Sequence, residues 1–311
     1  MSQVEKISGE LAKITVKQPM QGDVNAYVFR NEQVTLIDCG HPSPDSQAEL
    51  LSGLLQLGLK PEDIDQIVLT HRHIDHVGGI VCEYDYFDRA KVVAPVGPLE
   101  PIIRLDALER VKSCIPQQHI NEVIDDVLYD ALRSYYSYAK PVRVDSQVRE
   151  GDKIDIGGEQ LTVMETPGHS IDHISLLHEE SGYLIGGDVL LLHGPPMIQS
   201  LDSYTKSMEK IKNCGAGFVY PGHGKEIHNI HEAVALTLDR LAATDQKILD
   251  ALKRSIHTPF SLALEFTGGK THKGIRFFLE VVLAHLERMN AKNEIELIYD
   301  NDKIDRAIYR L

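Results

Sequence analysis

A chain of 311 residues is long enough for one large domain or for a medium one with an appendage, and 42% hydrophobic with 25% charged residues is ordinary globular composition. No stretch approaches the roughly 20 consecutive apolar residues that cross a bilayer, and a formal net charge of -14 argues against a broad nucleic-acid surface, which wants a basic footprint. The four cysteines, Cys39, Cys82, Cys114 and Cys214, form no Cys-x-x-Cys pair, so neither a disulfide framework nor a thiolate metal knuckle is indicated.

The opening Met1-Ser2-Gln3-Val4-Glu5-Lys6 has none of the apolar core of a signal peptide, and the expected location is the cytoplasm. Residues 14–38 then cluster as paired strands: Ile14-Thr15-Val16, Ala26-Tyr27-Val28-Phe29 and Val34-Thr35-Leu36-Ile37, with Asn31-Glu32 as a turn. Ser46 to Leu59 places Leu50, Leu51, Leu54, Leu55 and Leu57 in an amphipathic helical pattern that ends near Gly58. A short apolar strand, Ile67 to Leu69, runs into Thr70-His71-Arg72-His73-Ile74-Asp75-His76-Val77-Gly78-Gly79. Three imidazoles and a carboxylate within six positions are the ligand types that zinc and similar divalent ions take. His71 and His73, two apart, can point one way from an extended backbone, while Asp75 and His76 follow after a turn toward a second point nearby. The two glycines let the chain turn away tightly.

Lys91-Val92-Val93-Ala94-Pro95 reads as one more strand, and a helical insertion of about 96–140 follows. Leu105, Leu108 and Val111 share one face, as do Ile124, Val127, Leu128, Leu132 and Tyr135. The insertion ends in Tyr135, Tyr136 and Tyr138, which either wall a substrate pocket beside the metal cleft or pack the insertion onto the body. A helical lid would favour a small or narrow substrate. Sheet patterning returns from Val144, with a turn-rich hairpin at Asp152 to Gly158. Three further strands each end in Gly or Pro followed by a potential ligand. Leu161 to Thr166 leads to Pro167-Gly168-His169, Tyr183-Leu184-Ile185 to Gly186-Gly187-Asp188, and Phe218-Val219-Tyr220 to Pro221-Gly222-His223. Strand ends are where sites gather in α/β folds.

The motif His71-Arg72-His73-Ile74-Asp75-His76 is complete for the metallo-β-lactamase superfamily, and Thr-Pro-Gly-His169, Gly-Gly-Asp188 and Tyr-Pro-Gly-His223-Gly resemble the corresponding family segments in the correct order. The resemblance implies an αββα sandwich within a catalytic domain at 1–235. It implies one metal site of His71, His73 and His169, a second of Asp75, His76 and His223, and Asp188 as the bridging carboxylate. Asp38, at the end of a strand before Cys39-Gly40-His41, would support the ligands from behind; His41 is unassigned. His193, shortly after Asp188, would lie near the site, and the remaining histidines, His173 among them, read as ordinary. Two divalent ions would polarise a water to hydroxide near neutral pH and hold the substrate oxygen, with Asp75 ligating and either orienting or deprotonating that water and Asp188 offsetting the repulsion between cations. Zinc is the first choice of metal; iron and manganese accept the same ligands.

The tail, 236–311, carries helical patterns over Ile230 to Ser255 and Ile275 to Met289 and two strands near the end, Ile295 to Asp302 and Arg306 to Leu311. This order is similar to the small winged-helix module on lactamase-like endoribonucleases. From Leu238 onward the net charge is +1, against -15 for the preceding part, so packing or homodimerisation is expected of it before nucleic-acid binding. The ligand set resembles glyoxalase II and the acyl-homoserine lactonases, implying hydrolysis of an ester, thioester or lactone-type small molecule. A nuclease or phosphodiesterase of the endoribonuclease type is the alternative. No membrane partner is expected.

Overall fold

A computed structural model describes residues 3–19, 22–84, 86–97, 105–124, 130, 140–192, 197–272, 274–298 and 308–311. The chain divides into two compact units, one of residues 1–103, 135–196 and 203–234, the other of residues 104–134, 197–202 and 235–311. Among the described residues, no helix is long and apolar enough to cross a membrane.

The first unit holds two sheets. One has seven strands in sequence order: β1 (Gln3–Lys6), β2 (Leu11–Val16), β3 (Val24–Arg30), β4 (Val34–Ile37), β5 (Gln66–Val68), β6 (Lys91–Pro95) and β7 (Ser146–Val148). The first four pair antiparallel, as the short turns between them require, and β4 to β7 pair in parallel. The second sheet runs β12 (Phe218–Pro221), β11 (Tyr183–Gly187), β10 (Ile174–His178), β9 (Gln160–Glu165) and β8 (Lys153–Asp155), with only β11 and β12 parallel. One apolar cluster draws on both sheets. Tyr27, Phe29, Ile37, Val68 and Val93 from the first meet Leu161, Val163, Ile174, Leu176, Ile185 and Tyr220 from the second. This is sheet-on-sheet packing, with helices outside, and it bears out the expected αββα sandwich.

The helix Pro44–Gln56 starts with proline in its first turn and buries Leu50 and Leu54, four apart on one face. Its Gly53 lies against β2: a Cβ there would be 2.4 Å from Ile14 Cγ2. The segment after His73 departs from expectation. Instead of turning at Gly78 and Gly79, the chain runs as a helix from Ile74 to Val81, with His73 as its N-cap. The glycines serve close approach: Gly78 N–H donates to Gly40 O at 2.7 Å, and a Cβ on Gly78 would stand 2.3 Å from that oxygen. Strand β7 begins where sheet patterning was expected to return, whereas β1 and the helix Leu201–Lys212 carry no expectation from the sequence.

In the second unit the helices Pro259–Phe266 and Ile275–Ala291 pack together, with a hairpin of β13 (Glu296–Ile298) and β14 (Ile308–Arg310) after them. The helix Leu105–Ser113 packs on Ile275–Ala291, joined by an Arg110–Glu287 ion pair, and His119 stacks on Phe260 with ring centroids 5.5 Å apart. Residues 104–134 of the insertion thus cluster with the tail. Tyr135, Tyr136, Tyr138 and His193, the inner helical positions Val127, Leu128 and Leu132, and Tyr299 to Asp302 and Arg306 lie outside the described residues.

Close packing of the ligand helix is testable. Gly78→Ala forces a methyl against a backbone carbonyl and should lower the unfolding free energy in urea by about 1–3 kcal/mol. Gly9→Ala, where nothing lies within 4 Å, should stay within about 0.5 kcal/mol of the parent.

Candidate metal centre

Six segments of the first unit converge where strands end: Asp38 after β4, Thr70 to His73 after β5, the first turn of the helix Ile74–Val81, Thr166 to His173 between β9 and β10, Asp188 after β11 and Gly222-His223 after β12. Parallel β4 and β5 deliver Asp38 and Thr70 side by side, and parallel β11 and β12 do the same for Asp188 and Gly222.

Asp38 is buried and adopts φ +57°, a left-handed backbone seldom used outside glycine. The conformation aims its carboxylate at three donors. Thr70 N–H donates to Oδ1 at 2.8 Å, Thr70 Oγ1 to Oδ2 at 2.7 Å, and His76 Nδ1 to Oδ2 at 2.8 Å. With the threonine hydrogen committed to Asp38, Thr70 Oγ1 accepts from His71 Nδ1 at 3.0 Å. One carboxylate therefore sets two imidazoles, directly and through a hydroxyl, so that His71 and His76 both turn Nε2 toward the centre. His223 is fixed likewise, its Nδ1 donating to Asp23 O at 2.8 Å. Its loop is tied to β3 by Asn25 N–H to Gly222 O at 2.7 Å and by Tyr27 Oη to Pro221 O at 2.7 Å.

Three groups of donor atoms, each within 4.8 Å of one another, could hold a metal ion: His71, His73 and His169; His71, His76 and Asp188; Asp75, His76 and His223. His71 Nε2 lies 2.9 Å from His73 Nδ1. Asp188 Oδ2 lies 3.5, 3.3 and 3.2 Å from Nε2 of His76, His169 and His223, and Asp75 Oδ2 is 3.5 Å from His223 Nε2. All seven expected ligands are thus brought together.

Two observations test the fit of cations here. Asp188 Oδ1 is buried and accepts no hydrogen bond among the described residues. The wall facing it is bare backbone at Gly222, where a Cβ would come within 2.3 Å of that oxygen and 2.9 Å of the His76 ring. Imidazoles plus carboxylates, with no lysine or arginine in the three donor groups, are a cation's donor set, and the residues fit it.

The charges agree. Burial alone would neutralise Asp188 and Asp75, but His223 and His76 outweigh it and hold both carboxyls well below the usual range. Burial likewise opposes charge on His76 and His223, yet Asp188 leads the carboxylates that outweigh it, keeping His76 well above its ordinary value and His223 up at about 10. His71 is pushed the other way: burial, reinforced by the neighbouring imidazoles, drives it well below its ordinary value.

Two residues escaped sequence reasoning. His173 is buried; its Nε2 accepts from the backbone N–H of Asp188 at 3.0 Å, so its Nδ1 hydrogen goes to Thr166 Oγ1 at 2.8 Å. Burial pushes its pKa down to about 3, suiting a permanent acceptor, and its position four residues after His169 was the available signal. Gln18, in the loop after β2, donates from Nε2 to Asp75 Oδ2 at 3.0 Å; nothing in its surroundings marked it. His41 is buried and held down at about 4 by burial, its Nδ1 accepting from Ser43 N–H at 3.1 Å.

The model of the metallo-beta-lactamase superfamily matches residues 20–223, and the chain belongs to that superfamily. It is 26% identical over 302 residues to the "Probable metallo-hydrolase YqjP" of Bacillus subtilis, covering 91% of this chain and 92% of that one. It is 25% identical over 190 residues to the "Atrochrysone carboxyl ACP thioesterase" of Aspergillus fumigatus, covering 61% of this chain and 48% of that protein. The crystal structure of a metallo-beta-lactamase family protein from Thermus thermophilus superposes with a TM-score of 0.81 at 21% identity, over 98% of this chain and 99% of that one.

Asp38→Ala strands three buried donors at once and should cost more than about 2 kcal/mol of unfolding free energy in the metal-free protein, each orphaned group being worth about 1–3 kcal/mol. Asp38→Asn tolerates the left-handed backbone and keeps one acceptor, so urea denaturation should place it between the two.

Proposed function

We propose that this protein is a hydrolase of esters, thioesters or lactone-type small molecules that works with two divalent ions, zinc before iron or manganese. The observation that carries the proposal is Asp188 Oδ2 facing His76, His169 and His223 at 3.5, 3.3 and 3.2 Å, between the two outer ligand groups. His71, His73 and His169 would hold one ion, Asp75, His76 and His223 the other, and Asp188 would lie between them. When bound, such a pair supplies Lewis acidity toward the substrate oxygen and a water acidified to near neutrality.

The chain's own groups have separate parts. Asp75 Oδ2 is taken by Gln18 and faces His223, leaving Oδ1 to accept a hydrogen bond from the attacking water. Because the Asp75 carboxyl is held so far below the usual range, its part is to orient that water and not to store its proton. His173, through the Asp188 backbone, keeps the central carboxylate on its axis. The relative named a thioesterase supports the acyl class of substrate. For the second unit, the order of three helices and a hairpin supports a winged-helix-like module, and its near-neutral charge supports packing or self-association in the cytoplasm over contact with a polyanion.

Protons and metal ions compete for the same nitrogens. The carboxylates around His76 and His223 favour a proton on each ring in the metal-free protein, and the loaded protein cannot keep those protons. Zinc uptake in weakly buffered solution should therefore release protons, and apparent zinc affinity should climb as pH rises toward about 10, read by calorimetry in buffers of different ionisation enthalpy. Loaded protein, given a panel of thioesters, lactones, phosphodiesters and single-stranded RNA, should cleave the acyl substrates. Asp188→Ala should lower that rate by a factor of at least about 100, and a chelator should abolish it. RNA or phosphodiester turnover far above any acyl substrate, lost equally in Asp188→Ala, would replace the acyl reading with a nuclease one.

A further inference from the structure

Arg72 sits between two of the proposed ligands, yet its side chain is fully buried and goes elsewhere. Alternate residues of an extended segment point to opposite sides, so turning His71 and His73 inward sends Arg72 the other way. There Nη1 donates to Asp172 Oδ2 at 2.8 Å and Nη2 to Pro95 O at 2.7 Å, and both charged side chains are wholly shielded from solvent. Asp172 lies three residues after His169 and one before His173. Its other oxygen accepts from Ser170 Oγ at 2.8 Å, so both carboxylate oxygens are committed. The backbone of Gly97 closes over the pair: a Cβ there would be 2.7 Å from Arg72 Nη1 and 3.0 Å from Asp172 Cβ.

A buried ion pair is seldom a net source of stability, since apolar replacements of similar volume often fold as well or better. Its use is geometric here. Arg72 fixes the rotation of the strand end that carries His71 and His73, and Asp172 fixes that of the loop that carries His169. The two segments are also joined by Ile174 N–H donating to Thr70 O at 2.9 Å. The group of Asp75, His76 and His223 is held by Asp23 O, by Asn25 and by Asp38, which also reaches His71 through Thr70, and none of these touches the Arg72–Asp172 pair.

We infer that the buried Arg72–Asp172 ion pair is a positioning clasp for one half of the metal centre, setting the His71, His73 and His169 group without setting the Asp75, His76 and His223 group. The inference rests on the metal-binding reading above. A general structural role would weaken both groups alike; a clasp weakens one.

Metal-free protein is titrated with cobalt(II), read by visible absorption and by equilibrium dialysis, with His169→Ala and His223→Ala assigning each absorption band to its group. The parent should take up two equivalents. The Arg72→Met/Asp172→Leu double variant should remain folded by circular dichroism, bind at the Asp75, His76 and His223 group within about twofold of the parent, and bind at the other about 10–100-fold more weakly. Asp172→Asn keeps the shape and one accepting oxygen, and should fall between the two at the first group alone; it answers the question should the double variant not fold. Equal affinities at both groups, or equal weakening of both, overturns the clasp while leaving the metal reading intact. A parent that binds no cobalt overturns that reading, and the clasp with it.

Discussion

The centre depends on one carboxylate oxygen, Asp188 Oδ2, held among three imidazole nitrogens at 3.2 to 3.5 Å inside the protein. A buried carboxylate is costly unless positive charge stands beside it. In the metal-free protein the carboxylates favour protonation of His76 and His223, which would supply that charge. Divalent ions would supply it more strongly and at the same atoms, so the cluster is a socket whose charge is balanced by whichever cation fills it. The surroundings follow from that need: Asp38 with its left-handed backbone, the bare Gly222 wall, and the neutral His173 that anchors the Asp188 amide.

Much of the centre was legible in the sequence because ligands cluster where strands end, and such ends are marked by abrupt changes from apolar runs to Gly, Pro and polar residues. His71, His73, Asp75 and His76 sit in one dense motif, while His169, Asp188 and His223 each follow a strand and a glycine. Strands were readable from β-branched runs such as Val34 to Ile37, whereas the sandwich was implied by the resemblance to the superfamily. What stayed hidden acts through space. Gln18 reaches Asp75 across 57 positions, and Arg72 meets Asp172 across 100; neither partner carries a local pattern. Gly78 and Gly79 looked like a turn, since glycine's freedom to bend and its lack of a side chain read alike in sequence. Tertiary contact with the Gly40 backbone decided for the second.

Grouping of the helical insertion with the tail was equally invisible. Residues 104–134 and 235–311 form one compact unit, although the ligand-bearing strands lie between them in the chain. Their joining rests on pairs such as Arg110–Glu287 and the His119–Phe260 stack, each distant in sequence.

X-ray absorption at the zinc edge of the zinc-loaded protein tests the central claim most directly. The account predicts a first shell of nitrogen and oxygen near roughly 2.0–2.1 Å with imidazole outer-shell scattering, no sulfur near about 2.3 Å, and a metal–metal vector of roughly 3.5–4 Å that disappears in Asp188→Ala. A single isolated zinc without that vector, or a shell containing cysteine sulfur, would contradict it.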